Sequence, residues 1–211
     1  MNSNKSRTTP KPAARTALVP QRSHGKLRYA ALLEAGAAVI AEKGFQAATM
    51  AEIAARAEAP IGSLYRFFPN KEILADALLQ RFIERVKEAF DEISHQITSL
   101  SLAALVDALL SMLPNLQGDR MVIRALLEAH TDWSAKRIEF RAAMRRQIAK
   151  TLTLRHPKLP LKTARNMAVV LLQNMKTVSL FSQELRGEEL AGAQAELREM
   201  TRIYLASKFE E

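Results

Sequence analysis

Apolar residues along this chain recur at steps of three and four, and no stretch shows the strict alternation of a half-buried strand. In LRYAALLEAGAAVIAEKGF, which begins at Leu27, the positions Leu32, Ala35, Gly36, Val39 and Ile40 form one stripe on a helix. Gly44 follows Lys43, a cation in the last turn and then a residue that accepts positive φ, so the first helix should stop there. Thr49 and Glu52 have capping-box spacing. They open a second helix over about 50–57, with Ile53, Ala54 and Ala57 inward. Pro60 suits the first turn of a third helix, because its missing N–H costs nothing there. That helix runs to about Phe67, Pro69-Asn70 ends it, and Asn70 caps a fourth from Lys71 to about His95, a rod of roughly 37 Å.

A Ser/Thr-rich break at 98–101 is followed by further helical periods near 101–113, 119–131, 133–155, 161–185 and 188–208. Pro114, Gly118, Pro157, Pro160 and Gly187 mark the joints. The fold class expected is all-α, a small N-terminal three-helix unit followed by a larger helical body. The divisions are an arm at 1–25, a helix-turn-helix unit at 26–72 and a body at 73–211. Segment 161–185 is apolar on nearly every side around Met167, Val169, Val170, Leu171, Leu172, Met175, Val178 and Phe181. Gln173, Asn174 and Lys176 break it too often for a membrane span. It is expected to be covered by its own domain and by a second subunit. Leu190, Ala193, Leu197, Met200 and Tyr204 stand at near-heptad steps, a seam for a partner helix. Two helices from each of two chains give a four-helix homodimer interface; burial within one chain is the other reading.

Charge adds direction to this picture. The 211 residues carry a formal net charge of +9 and no cysteine, which excludes disulfides and thiolate metal sites. Lys5, Arg7, Lys11, Arg15, Arg22, Lys26 and Arg28 all precede the first acidic residue, Glu34. This opening stretch lacks the apolar core of a secretory signal and reads as a disordered basic arm drawn to polyanions, or as a solvated tail. A cytoplasmic, non-membrane protein is expected. His24, His95, His130 and His156 have no metal-ligand spacing, and the chain has neither a phosphate loop nor a Gly-x-Ser-x-Gly elbow. No metal, cofactor or catalytic role follows.

Two short helices on a tight turn, braced by a longer one, make a helix-turn-helix. A major groove about 12 Å wide demands a slim, polar outer face and an apolar inner one. Gly62 keeps the third helix bare, while Leu64 and Phe68 turn inward. Ile61, Ser63, Tyr65 and Arg66 are left toward double-stranded DNA. Thr49 and Lys71, each at a helix start, are placed for phosphates, and Arg28 joins them from the basic segment.

These residues resemble the tetracycline-repressor (TetR) family of bacterial transcription regulators. The resemblance runs through Leu32-Leu33, Ala35, EKGF at 42–45, Thr49, EIA at 52–54, Ala57, GSLYRFF at 62–68, Lys71 and Leu74. It implies a dimeric DNA-binding regulator whose C-terminal helices bind an inducer and form the subunit interface. A dimer would set two recognition helices about one DNA turn apart, roughly 34–36 Å or a small multiple, on a pseudo-palindromic operator. The chain departs from the family at Glu58-Ala59-Pro60, where a Gly-Val-Ser turn is usual. The capping serine is replaced by Pro60, and Glu58 brings a negative charge near the DNA.

For the inducer, Met112, Met144, Met167 and Met175 supply adaptable apolar surface in the body, as does Met121. Arg124, Glu128 and Trp133, with His130 and Asp132, supply polar anchors. The expectation is a repressor released by a small, largely apolar ligand. The alternative is a DNA-bound adaptor that recruits a protein through its body and has no small-molecule inducer.

Overall fold

A computed structural model describes Ala17, residues 20–129 and residues 134–209. Its helices are α1 (Ser23–Ala47), α2 (Met50–Arg56), α3 (Ile61–Phe67), α4 (Lys71–Gln96), α5 (Leu102–Asn115), α6 (Gln117–Ala129), α7 (Ser134–Arg155), α8 (Leu161–Glu184) and α9 (Gly187–Phe209). There is no strand among the described residues, so the fold is all-α.

Local rules account for most boundaries. Thr49 and Glu52 form the expected box: Thr49 Oγ1 accepts from the Glu52 N–H at 3.2 Å, and Glu52 Oε2 accepts from the Thr49 N–H at 3.1 Å. Asn70 Oδ1 accepts from the Ile73 N–H at 2.8 Å and starts α4. Gly44 breaks α1 with φ 79° and ψ 162°, a conformation essentially confined to glycine, and a short final turn follows it.

Three expectations need correction. First, α1 opens at Ser23, ahead of Leu27, so 23–25 belong to a helix and not to the arm. Second, Pro114 and Gly118 lie within the end of α5 and the start of α6. A proline in the last turn of a helix still has a helical φ, and the chain turns after it, at Leu116. Third, the near-heptad row on α9 does not form one outward seam. Leu197 is buried and Tyr204 packs partly against the core, whereas Met200 and Ile203 are each 55% exposed. Two heptads shift such a row by only about 40°, so it keeps to one side of the helix but straddles the border between the buried and the open face.

The head packs Leu32, Ile40, Ile53, Leu64, Phe68 and Leu74 into one cluster, each fully buried. Every such side chain contributes about 1.5–3 kcal/mol of burial. Gly36 lets α1 and α4 touch: a Cβ there would lie 2.9 Å from Leu74 Cδ2. From the head, α4 continues into the body, where it meets α5, α6 and α7. There α8 packs against α5, α7 and α9. Met167, Leu171, Leu172, Met175 and Val178 of α8 are buried, yet Val169, Val170 and Leu180 are 42–47% exposed. No described helix is long and apolar enough to cross a membrane.

Candidate nucleic-acid interface

The turn between α2 and α3 closes as a Schellman motif. The Ala59 N–H donates to the Ala54 carbonyl at 3.0 Å and the Glu58 N–H to the Ala55 carbonyl at 3.1 Å. This geometry puts Glu58 at φ 47°, the left-handed region that glycine adopts without penalty. The family's usual glycine in this turn is thus explained, and the glutamate here is strained. Pro60 follows as the residue before α3, with no side-chain cap.

On α3, Leu64, Phe67 and Phe68 are buried. Tyr29 of α1 clamps the last two, its ring centroid 5.9 Å from Phe67 edge-on and 5.0 Å from Phe68. The opposite face is open. Nothing lies within 4 Å of a Cβ built on Gly62. Beside it, Ile61 is 44% and Tyr65 49% exposed, Arg66 is exposed and Ser63 half-buried. The Arg66 guanidinium lies 5.4 Å from the Phe67 ring centroid. Seven residues thus give a buried apolar side and a bare, polar outer side.

Other cations of the head serve the fold. Lys71 Nζ donates to the carbonyls of Phe45, Gln46 and Ala48 at 2.8, 3.0 and 2.9 Å, and stands 4.7 Å from the Phe45 ring centroid. An ammonium has three protons, and all three are directed at the end of α1. The phosphate contact expected of the Lys71 side chain is therefore corrected: it is a brace. Thr49 Oγ1 also donates to Glu52 Oε2 at 2.9 Å, so its hydroxyl is held in the cap. Lys43 pairs with Glu52, and the Lys43 and Thr49 hydrogen bonds hold that carboxyl at about pKa 2. Arg56 pairs with Glu42 through two hydrogen bonds, which lower the Glu42 pKa and raise that of Arg56.

Arg28 sits where the start of α1 meets α3, with its Nη1 3.4 Å from the Glu58 carbonyl oxygen. Together with Arg22, His24, Ser63, Arg66 and Phe67 it lines an open recess of about 700 Å³. Sequence reasoning missed Arg22 and His24 as neighbours of α3, because both were placed in the arm. The run of cations ahead of Glu34 was the available signal. Residues 1–16, 18 and 19 lie outside the described residues.

Of the expected ligand residues that the structure describes, Met121 and Arg124 share one cavity and the four other methionines do not line it. Met112, Met144, Met167 and Met175 are core, between 0% and 4% exposed. Arg124 is exposed on α6, 3.4 Å from Gln183 Oε1. It lines a cavity of about 420 Å³ with Pro114, Met121, Ser179, Leu180 and Gln183. Ser179 Oγ is buried there without a protein hydrogen-bond partner among the described residues. His130, Asp132, Trp133 and the Glu128 side chain lie outside the described residues.

The family model described as bacterial regulatory proteins, tetR family, matches residues 32–78. The HTH-type transcriptional repressor KstR2 of Mycobacterium tuberculosis is 34% identical over 103 residues, 49% of this chain. The match spans 46% of the length of that repressor. Among solved structures, a TerR/AcrR-family transcriptional regulator from Aquifex aeolicus superposes with a TM-score of 0.69 at 21% identity, over 84% of this chain and 99% of its own. The multidrug binding protein EbrR, solved with imidazole, gives 0.60 at 19% identity, over 86% and 94%. These two share the fold. The family match falls on the segment that builds the capped α2, the tight turn and the bare face of α3, so residues 32–78 are similar to the tetR family of bacterial regulatory proteins.

Proposed function

We propose that this protein is a homodimeric transcriptional repressor that binds a pseudo-palindromic operator through α3 and leaves it when a small molecule occupies the body. One observation carries the reading: the outer face of α3 is bare at Gly62 and flanked by exposed Tyr65 and Arg66. Such a face fits a major groove. Ser63 and Ile61 stand at its edges, and Arg28 reaches the same surface from α1. Thr49 contributes through the backbone at the start of α2. The head runs from the start of α1 at Ser23 to about residue 72 and the body over 73–211. KstR2 is named a repressor, which supports the sign of regulation, and EbrR is named a multidrug binding protein, which supports a ligand in the body.

The ligand site is the cavity beside Arg124 and Ser179, where a largely apolar molecule gains one hydrogen bond from a serine that otherwise has none. Release requires that the ligand bind the DNA-incompetent conformer more tightly than the competent one. In this arrangement α4 carries the change, since it begins in the head and ends in the body.

Operator fragments selected from the source genome test the reading. Gly62→Leu should keep or raise the melting temperature, because leucine is the better helix former and meets open space. It should also lower operator affinity by at least about tenfold. Arg66→Ala should weaken binding and reduce the salt slope by about one. Full affinity in Gly62→Leu would end the proposal. The same fragments, screened against small apolar compounds, should be released by some of those that raise the melting temperature.

A further inference from the structure

We propose that the acidic corner between α8 and α9 of one copy docks on the basic groove between α7 and α8 of a second copy, in one antiparallel register. The inference rests on the homodimer reading and specifies how that dimer is locked.

The groove is lined by charge of one sign. Between residues 136 and 165 the sequence carries ten Lys and Arg against the single acid Glu139. Arg145, Arg146 and Lys150 of α7 and Arg165 of α8 are exposed and line a groove of about 550 Å³, with Leu161 and Val169 as its apolar wall. None of these four cations meets a carboxylate among the described residues. Left alone, four like charges around one groove repel one another, so an anionic partner relieves them.

The same chain supplies the opposite sign at the other end of the same hairpin. Glu184 ends α8, and Glu188 and Glu189 lie in the first turn of α9. All three are exposed and meet no cation among the described residues. Arg186 stands among them, but its guanidinium is turned onto the Ser182, Gln183 and Leu185 carbonyls. The α8–α9 hairpin is thus basic at its open end and acidic at its turn.

A two-fold interface must be self-complementary, and an antiparallel pairing of a charge-polar hairpin places acid on base at both ends. The register follows from the exposed apolar residues. A two-fold axis crossing α8 midway between Val169 and Leu180 puts Val169 against the partner's Leu180. Arg165, one turn before Val169, then stands level with the partner's Glu184, one turn beyond Leu180. Asn166 falls level with the partner's Gln183, amide to amide. A shift of one turn would set Arg165 beside Leu180 and leave the charges unmatched. Coiled helices choose partner and orientation by such flanking charges.

Sedimentation equilibrium of the full chain tests the lock. Arg165→Glu and Glu184→Arg should each weaken the dimer by about tenfold or more, and the chain carrying both changes should return toward wild type. A second pair, Arg146→Glu with Glu188→Arg, repeats the test should either first variant lose its helical circular-dichroism signal. Singles that dimerise like wild type, or swapped pairs as weak as the singles, would overturn the docking and leave the homodimer reading standing. A wild-type chain that is monomeric at every concentration would remove the homodimer reading itself.

Discussion

The corner where α1 meets α2 and α4 and the groove between α7 and α8 are both rich in cations, and they use them in opposite ways. At the corner each described cation has a partner inside the chain: Lys71 on three carbonyls, Lys43 on Glu52, Arg56 on Glu42. In the groove Arg145, Arg146, Lys150 and Arg165 face outward without one among the described residues. The first arrangement fixes the short α2 and α3 against a longer helix. The second leaves charge for something outside the chain. A net charge of +9 therefore overstates what the head's own cations offer to DNA, and the outer face of α3 is set by its shape as much as by its charge.

The largest effect that would separate the two regions is on stability. Lys71→Ala should cost about 1.5–3 kcal/mol, because hydrogen bonds from a charged group are lost and partly buried carbonyls are left without donors. At concentrations low enough for the chain to be monomeric, Arg146→Ala and Lys150→Ala should stay within about 0.5 kcal/mol, as expected for exposed residues without a partner inside the chain. Urea midpoints read all three. The salt slope of operator binding should be unchanged in Lys71→Ala where the variant is folded. A slope lowered by one, with stability intact, would return Lys71 to the phosphates and erase the contrast.

A smaller and opposite effect is expected where the head has an unrelieved cost. Glu58 holds φ 47° with an ordinary side chain, so Glu58→Gly should stabilise the protein by roughly 1 kcal/mol, as the left-handed region is that much less favourable for a residue with a Cβ. The Arg28 contact is to the Glu58 backbone carbonyl and survives the change. A melting temperature that falls would mean that the glutamate side chain has a partner of its own, and that the corner's rule of answered charges extends through the turn.

The contrast also separates what the sequence shows from what it hides. Thr49 with Glu52, Asn70 ahead of α4 and Gly44 after Lys43 act over three or four residues, and their signals are local. The buried stripe of α1 and the inward turn of Leu64 and Phe68 follow from helical period alone. Lys71 was misjudged because its acceptors lie 23–26 residues away and meet it only when α1 and α4 close on each other. The α9 seam was misjudged because spacing says that residues share a face, not which neighbour covers it. The methionines meet the same limit: a flexible apolar side chain reads alike in a core and in a cavity, so spacing does not separate Met121, which lines the cavity near Ser179, from the buried Met112, Met144, Met167 and Met175.

The smallest effect tests whether the corner's ion pairing is real in solution. Glu52 accepts from Lys43 and from both the side chain and the backbone of Thr49, and its pKa is lowered from the ordinary 4.5 to about 2. The fold thus favours the ionised form. A carboxyl depressed in this way stabilises the native state fully above its unfolded pKa and loses that contribution as the pH falls through its folded one. Glu52→Gln removes the charge but leaves a side chain able to complete a capping box. The gap between the unfolding midpoints of wild type and Glu52→Gln should be constant from about pH 7 to 5 and close between about 4.5 and 2. Because both partners are exposed, salt should shrink the part owed to Lys43 and spare the part owed to Thr49. A gap that stays level down to pH 2 would show that the carboxylate is not held by its neighbours, and the corner would then resemble the groove, with its charges open to solvent.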